Sequence, residues 1–266
     1  MSGNFRRRKI VEYVQRYGKV TYDQLCRYLE DVSEMTIRRD VAQLEKEGLI
    51  VKIRNGIRNP DGIGWAMEPK YKLRQQTNVV AKRALAIGVS EMIKPEMKLF
   101  FDAGSTLLKL AEIMPNDYYH ITTSAPATAN ELLRRVKIDV EMLGGLYSRN
   151  TFSMTGEPAV SYVNMLSANY FDMAIMATSG FSFEYGFSCG NEYDAELKRA
   201  VMKKAKKVMM LLDESKIGKN MSYQFATLND IDILVTECTF TDDQRMEIAN
   251  CSVEYRYVDA SIGDNQ

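Results

Sequence analysis

From Leu99 onward the chain repeats one pattern: the short apolar runs LFF, HIT, VEML, FDMAIMA, VMMLL, ILVT and VEYRYV, with helix-like segments between most of them. Short apolar runs alternating with helical segments give the βα rhythm of an open, largely parallel sheet. The expected body is therefore an α/β unit, an open and mostly parallel Rossmann-like sheet of about six or seven strands. None of the runs approaches the roughly 18–20 residues that a bilayer span needs, so no membrane partner is expected.

The residues that follow the runs narrow the chemistry. Five runs end in small, hydroxylated or glycine-bearing loops: DAGST (102–106), TSA (123–125), GG (144–145), TSG (178–180) and DESK (213–216). In open α/β sheets ligands bind in the crevice beyond the carboxyl ends of the strands. Gly104 is expected to let backbone N–H groups turn inward, and Ser105 and Thr106 place hydroxyls at a helix N-terminus, a favourable seat for a phosphate. The candidate effector residues are Asp102, Gly104, Ser105, Thr106, Thr123, Ser124, Gly144, Gly145, Ser179, Gly180, Glu196, Lys198, Asp213 and Lys216, with the two lysines as charge partners for an anion. The same stretch admits a second reading as an enzyme, with Asp102, Asp194, Glu196 or Asp213 as general base and Lys198 as electrostatic partner.

Charge separates the first residues from the rest. Residues 1–60 carry 13 Lys+Arg against 8 Asp+Glu, a net of +5, while residues 61–266 carry 22 against 27, a net of −5. A basic head on an acidic body suits a polyanionic partner. Three helices can be read in this head. The first, about residues 5–17, sets Ile10, Val14 and Tyr17 on one face and stops at Gly18. The second opens at VTYDQL with Thr21 as N-cap and Gln24 at N3, a capping box; the third opens at VSEMTI with Ser33 as N-cap. Ile37, Val41 and Leu44 face inward, and Gly48 ends the third helix in a Schellman-type stop.

That leaves Ser33, Glu34, Met35, Thr36, Arg38 and Arg39 exposed on the early turns of the third helix, the part of a recognition helix that reaches base edges in the major groove. Arg38 and Arg39 lie about 100° apart around the axis, so one is expected to read a base and the other to clamp a phosphate. LIVKIRNGIR then reads as a hairpin turning at Asn55-Gly56, with Lys52, Arg54 and Arg58 as wing residues against the DNA backbone.

The stretch RRRKIVEYVQRYGKVTYDQLCRYLEDVSEMTIRRDVAQLEKEGLIVKIRNG resembles the winged helix-turn-helix of the DeoR family of transcription regulators, with Val41 where that family usually has Leu and Asn55-Gly56 where it has Gly-Gly. The body resembles the sensor domain of the same family through Asp102–Thr106, LGG (143–145), Thr155–Ala159, Ser179-Gly180, AELK (195–198) and DESK (213–216). Ser124 and Ala177 depart from the usual T-N-S and G-A-S-G. The resemblance implies a small α+β winged head joined to a sheet of the sugar-phosphate isomerase/CoA-transferase type. It implies a regulator, a repressor of a sugar-utilisation operon, that binds double-stranded operator DNA under control of a phosphorylated sugar, acts as a homo-oligomer (dimer or tetramer) and is not an enzyme.

The expected domains are 1–58 for the head, 59–77 for a linker rich in Pro and Gly, and 78–260 for the sensor. No cofactor and no metal is expected: Cys26, Cys189, Cys238 and Cys251 form no C-x-x-C pair and His120 is the only histidine. The basic N-terminus lacks the apolar stretch of a secretory signal, so cytoplasm is the expected location. SIGDNQ, at the end, is expected to fray.

Overall fold

In a computed structural model of the chain, residues 3–17, 19–29, 32–58 and 71–264 are described. The head comprises α1 (Gly3–Tyr17), β1 (Lys19–Thr21), α2 (Tyr22–Tyr28), α3 (Glu34–Lys46), β2 (Val51–Ile53) and β3 (Gly56–Arg58). Thr21 Oγ1 accepts from Gln24 N at 3.2 Å while Gln24 Oε1 accepts from Thr21 N at 2.8 Å, so the capping box of α2 is complete. Ser33 caps α3 by accepting from Thr36 N. At the other end Gly48, at φ 71°, donates to Glu45 O and Leu49 donates to Leu44 O, the paired bonds of a Schellman stop. Ile10, Val14, Leu25, Ile37, Val41 and Leu44 close the core between the three helices.

The wing differs from its expectation. Ile53 pairs with Gly56, so the turn residues are Arg54 and Asn55, neither at positive φ, and Gly56 is already in β3. The glycine is needed for another reason: β1 pairs antiparallel with β3, and a Cβ on Gly56 would lie 2.1 Å from the carbonyl oxygen of Val20. The short strand β1, too brief to show a period, was not expected.

Beyond residues 59–70, which lie outside the described part and include Trp65 and most of the expected linker, the chain forms α4 (Tyr71–Gln76) and α5 (Val79–Ser90). The linker expected to run to residue 77 thus ends in a helical turn, and Tyr71, 3% exposed, stacks on Phe152 at 5.1 Å.

The body continues with β4 (Lys98–Phe101), α6 (Ser105–Ile113), β5 (Tyr119–Thr123), α7 (Pro126–Leu132) and β6 (Ile138–Met142), then the hairpin β7 (Leu146–Ser148) and β8 (Ser153–Thr155) and α8 (Glu157–Met165). There follow β9 (Met173–Ala177), β10 (Gly180–Ser182), β11 (Gly186–Cys189), α9 (Glu192–Met202), β12 (Val208–Leu212), β13 (Tyr223–Ala226), β14 (Ile233–Thr236), α10 (Asp242–Asn250) and β15 (Glu254–Tyr257). All seven apolar runs enter one parallel sheet in the order β15-β14-β12-β9-β4-β5-β6. Alternate residues of each strand feed opposite layers. Phe100, Ala174, Met176 and Met210 join the layer with Val163 and Val201, while Leu99, Phe101, Ile175 and Met209 join that with Leu85 and Leu107.

The order has a consequence for function. The chain leaves β4 outward to β5 and β6, then returns to β9 on the other side, so the switch point falls between β4 and β9, where such sheets open a crevice. Two small antiparallel sheets, β7-β8 and β10-β11-β13, were not expected; their strands are three or four residues long. The frayed tail expected over residues 261–266 is corrected for 261–264, the last two residues lying outside the described part. Residues Ala260–Asp264 form a 3-10 turn against α5, where a Cβ on Gly263 would come within 2.3 Å of Val80 O. Close backbone approach of this kind leaves no periodic trace in a sequence.

Candidate ligand cavity and nucleic-acid interface

A cavity opens at that switch point. Its floor is the β4 loop: Asp102, Ala103 and Gly104 lead into Ser105 and Thr106, the first two residues of α6. Asp102 is 4% exposed and fully engaged by the protein: it accepts from Ala103 N at 2.8 Å, from Ala177 N at 3.0 Å and from the ammonium of Lys198. It therefore holds the ends of β4 and β9 together. Gly104 sits at φ 165°, extended backbone open to any residue, and a methyl there would meet Ala177 Cβ at 3.5 Å and Leu107 Cδ2 at 4.0 Å, both ordinary contacts. Its expected role in turning N–H groups inward is not a matter of φ; it leaves the floor bare.

The walls come from Ser124 just after β5, from Ala177 at the end of β9 with Thr178 and Ser179 after it, from Cys189, from Asp194, Leu197 and Lys198 on α9, and from Asp213 and Lys216. Burial pushes the Lys198 ammonium down, but Asp102 beside it, with Cys189 and Asp194, more than offsets this, so its pKa is raised. Burial likewise pushes Asp213 up. Lys216, hydrogen bonds from Ser215 and Asn78, and Lys82 outweigh it and hold the carboxyl below its usual value.

The remaining wall was not foreseen. Arg74 on α4 and Lys82 on α5 line the cavity, as does Thr151 in the turn between β7 and β8. Lys82 is 2% exposed and donates to Arg74 O at 2.5 Å and Thr77 O at 2.6 Å. Burial, only partly offset by Asp213, lowers its pKa to about 8. Tyr71 N donates to Asn150 O at 3.2 Å, which ties α4 to the turn that carries Thr151. A signal for Lys82 was present: it stands on the apolar stripe of α5 with Leu85, Ala86 and Val89, where a lysine is out of place unless it has buried work. Arg74, Thr151 and Cys189 carry no comparable mark.

Of the candidate effector residues, Asp102, Gly104, Ser105, Thr106, Ser124, Ser179, Lys198, Asp213 and Lys216 line the cavity; Thr123, Gly144, Gly145, Gly180 and Glu196 do not. Thr123 is wholly buried and accepts from Ala125 N. Gly144 and Gly145 follow β6, the outer strand, and lead away into β7. Gly180 lies in β10, where a Cβ would come within 2.5 Å of Lys219 O, and Glu196 is exposed on the outer side of α9. Strand-end chemistry is legible in sequence, but which strands flank the switch point is not.

On the head, Ser33, Glu34, Met35, Arg38 and Arg39 are exposed along α3, with Thr36 half-buried. Met35 is 79% exposed, unusual for an apolar side chain. The Arg38 guanidinium is bonded to Glu34 at 2.6 Å and lies 4.0 Å over the ring of Tyr22. Thr21 uses its hydroxyl as the cap of α2. Lys52 pairs with Glu45 at 2.9 Å, Arg54 is at the wing turn, and Arg58 is at the wing base opposite Lys19 and Val51.

Residues 6–61 match the DeoR-like helix-turn-helix domain, and residues 77–238 match the DeoR C-terminal sensor domain. The chain belongs to the DeoR family. Relatives include the HTH-type transcriptional regulator GlpR of Haloferax volcanii, 32% identical over 93% of this chain and 95% of that one. GolR of Listeria innocua is 32% identical over 87% and 89%, and the repressor GlcR of Bacillus subtilis is 28% identical over 86% of each. A solved D-ribose-5-phosphate isomerase in complex with phospho-erythronic acid aligns with a TM-score of 0.36 and 12% identity over 51% of this chain and 52% of that one, a likeness too slight to build on. As a DeoR-family member the chain is a DNA-binding transcription regulator, and the enzyme reading is set aside. Among the described residues no helix is long and apolar enough to cross a membrane.

Proposed function

We propose that this regulator is a repressor of a sugar-utilisation operon whose grip on operator DNA is set by a phosphorylated sugar in the body cavity. The observation that carries the reading is the charge of that cavity. Lys198 is neutralised by Asp102, which leaves Arg74, Lys82 and Lys216 against Asp194 and Asp213, an excess of one positive charge beside the N-terminus of α6. Ser105, Thr106, Ser124, Thr178 and Ser179 add hydroxyls for the phosphate and the sugar. The GlcR relative, by its name a repressor, supports the sign of the regulation.

The head (1–58) is the DNA-binding unit, residues 59–77 connect it, and 78–260 form the sensor. On α3, Arg38 is oriented by Glu34 and Tyr22 and so is preorganised to read a guanine edge, Met35 offers an apolar contact to a thymine methyl, and Arg39 takes a phosphate. Ser33, Thr36 and Thr21 lie beside them, and Lys52, Arg54 and Arg58 follow the backbone. Two heads in a dimer or tetramer would read half-sites about one helical turn, or a multiple, apart. Such a protein works in the cytoplasm, with operator DNA and the effector as its partners and no cofactor.

The decisive experiment is thermal unfolding of the purified chain with a panel of sugar phosphates, the corresponding free sugars, and inorganic phosphate. At about 100 times its Kd a ligand stabilises by roughly 2.7 kcal/mol, a visible shift. A shift with one sugar phosphate and not its free sugar is expected; the absence of a shift with every phosphorylated sugar would sink the effector reading.

A further inference from the structure

Of the three carboxylates on α3, Glu34 and Glu45 are exposed and Asp40 is buried, 4% exposed, on the flank facing α1. It accepts from Nε of Arg6 and, at 3.4 Å, from Nη1 of Arg7, two members of the RRR run that begins the head. With Thr36, Arg39 and Gln43 the two arginines line an open groove along α3. Helix geometry puts positions 36, 40 and 43 on one flank and Arg38 on the other, over Tyr22 of α2. The exposed face of α3 is thus bordered on both sides, and on the α1 side the border is basic.

A carboxylate serving only to staple α1 to α3 needs one arginine. A pair of packed apolar side chains would hold the helices as well or better, because burying charge is costly. Here two guanidiniums share one carboxylate and a third, Arg39, stands at the same groove, so these four side chains together carry a formal charge of +2. Fixed arginine forks beside a DNA-reading helix match the spacing and charge of a phosphodiester.

We propose that Asp40 is a positioning residue: it presents Arg6 and Arg7, together with Arg39, to a backbone phosphate of the DNA strand bordering α3. The assignment rests on α3 being the DNA-reading helix. It gives the N-terminal arginines of α1 a task in recognition, with affinity contributed independently of sequence.

The test is fluorescence anisotropy of the full chain on a labelled random-sequence duplex across a salt series. Arg6→Gln and Arg7→Gln should each flatten the slope of log K against log salt by about 1. Asp40→Asn separates the explanations by sign. Removing a negative charge from a basic surface should tighten DNA binding if only net charge matters, whereas loss of positioning should weaken it about fivefold or more, the loss of one charge-assisted contact. Asp40→Glu should recover most of that loss. Unchanged or tighter binding by a folded Asp40→Asn, with an unchanged slope, would overturn the proposal. If Asp40→Asn does not fold, the Arg6→Gln/Arg7→Gln double variant decides, and a slope equal to that of the unmodified chain overturns it. Absence of duplex binding by the unmodified chain would instead remove the reading of α3 itself, and the arginine cluster with it.

Discussion

The ammonium of Lys198 lies between the carboxylate of Asp102 and the carbonyl oxygen of Ala177, 2.9 Å from the latter, and so ties α9 to the ends of β4 and β9. Both partners are nearly buried, so neither can be removed alone without stranding a charge. Lys198→Met is expected to destabilise the sensor by about 3–5 kcal/mol, and Asp102→Asn in the same chain to recover part of that loss. Urea unfolding of the two single variants and the double closes the cycle; additive losses would mean that the pair is not coupled.

Lys82 gives the cavity a pH dependence. Its pKa, lowered by burial to about 8, lies below that of an unfolded lysine. Below pH 8 it is charged in both states and the fold bears the whole cost of burying it. That cost is relieved as pH rises through about 8 toward 10.4, so this group's contribution to stability increases over that window. A bound phosphate pulls the pKa back up, so binding takes up a proton above pH 8 and weakens as pH rises. Calorimetry of the effector between about pH 7 and 9.5 should show the proton uptake, and Lys82→Met should abolish it. A pH-independent Kd in the unmodified protein would place Lys82 out of reach of the ligand.

Arg38 and Arg39 should separate in their effects on DNA. Arg38→Ala is expected to cost roughly 1–3 kcal/mol on a selected operator and to relax preference at one base pair. Arg39→Ala should weaken all sequences alike and lower the salt slope by about 1. Competition by duplexes substituted one base pair at a time reads both, and identical profiles for the two variants would contradict the division of labour.

Gly56→Ala tests the wing. The added methyl would meet Val20 O at 2.1 Å, and backbone cannot yield as a flexible side chain can. A loss of about 1–3 kcal/mol, or more, is expected in the head, with the sensor still responding to its ligand. A head of undiminished stability would mean that β1 does not pack on β3 in solution.

Tyr71 lies on α4 one turn before Arg74 of the cavity wall, stacked on Phe152. Tyr71→Ala should leave operator binding and effector binding each nearly intact while reducing the coupling between them, which is typically about 1–3 kcal/mol. Operator titrations with and without effector measure it; undiminished coupling would show that the signal leaves the cavity by another route.

Local chemistry made much of this legible from residues alone. The capping box at Thr21, the N-cap at Ser33, the glycine stop at Gly48 and the seven apolar runs each depend on neighbours a few positions away, and each is where its pattern places it. The hydroxylated loops of 102–106 and 178–180 were recognisable because each follows directly on a short apolar run. Asp40 is a different case. It lies on the inward flank of α3, but its partners Arg6 and Arg7 are more than thirty positions away, and no period links them.

What tertiary structure decided was adjacency between distant segments. The order that sets β9 beside β4 selects the two loops that face each other, and for that reason Gly144 and Gly145 fall outside the cavity although they follow a strand just as Gly104 does. Gly56 needs its missing side chain because of Val20, not because of its turn. Arg74 and Lys82 complete the cavity only because α4 and α5 pack against α6. Sequence determines the elements through short-range backbone geometry and burial period; which elements meet is decided by packing of the whole core, a sum over many weak contacts that no single stretch of the chain carries.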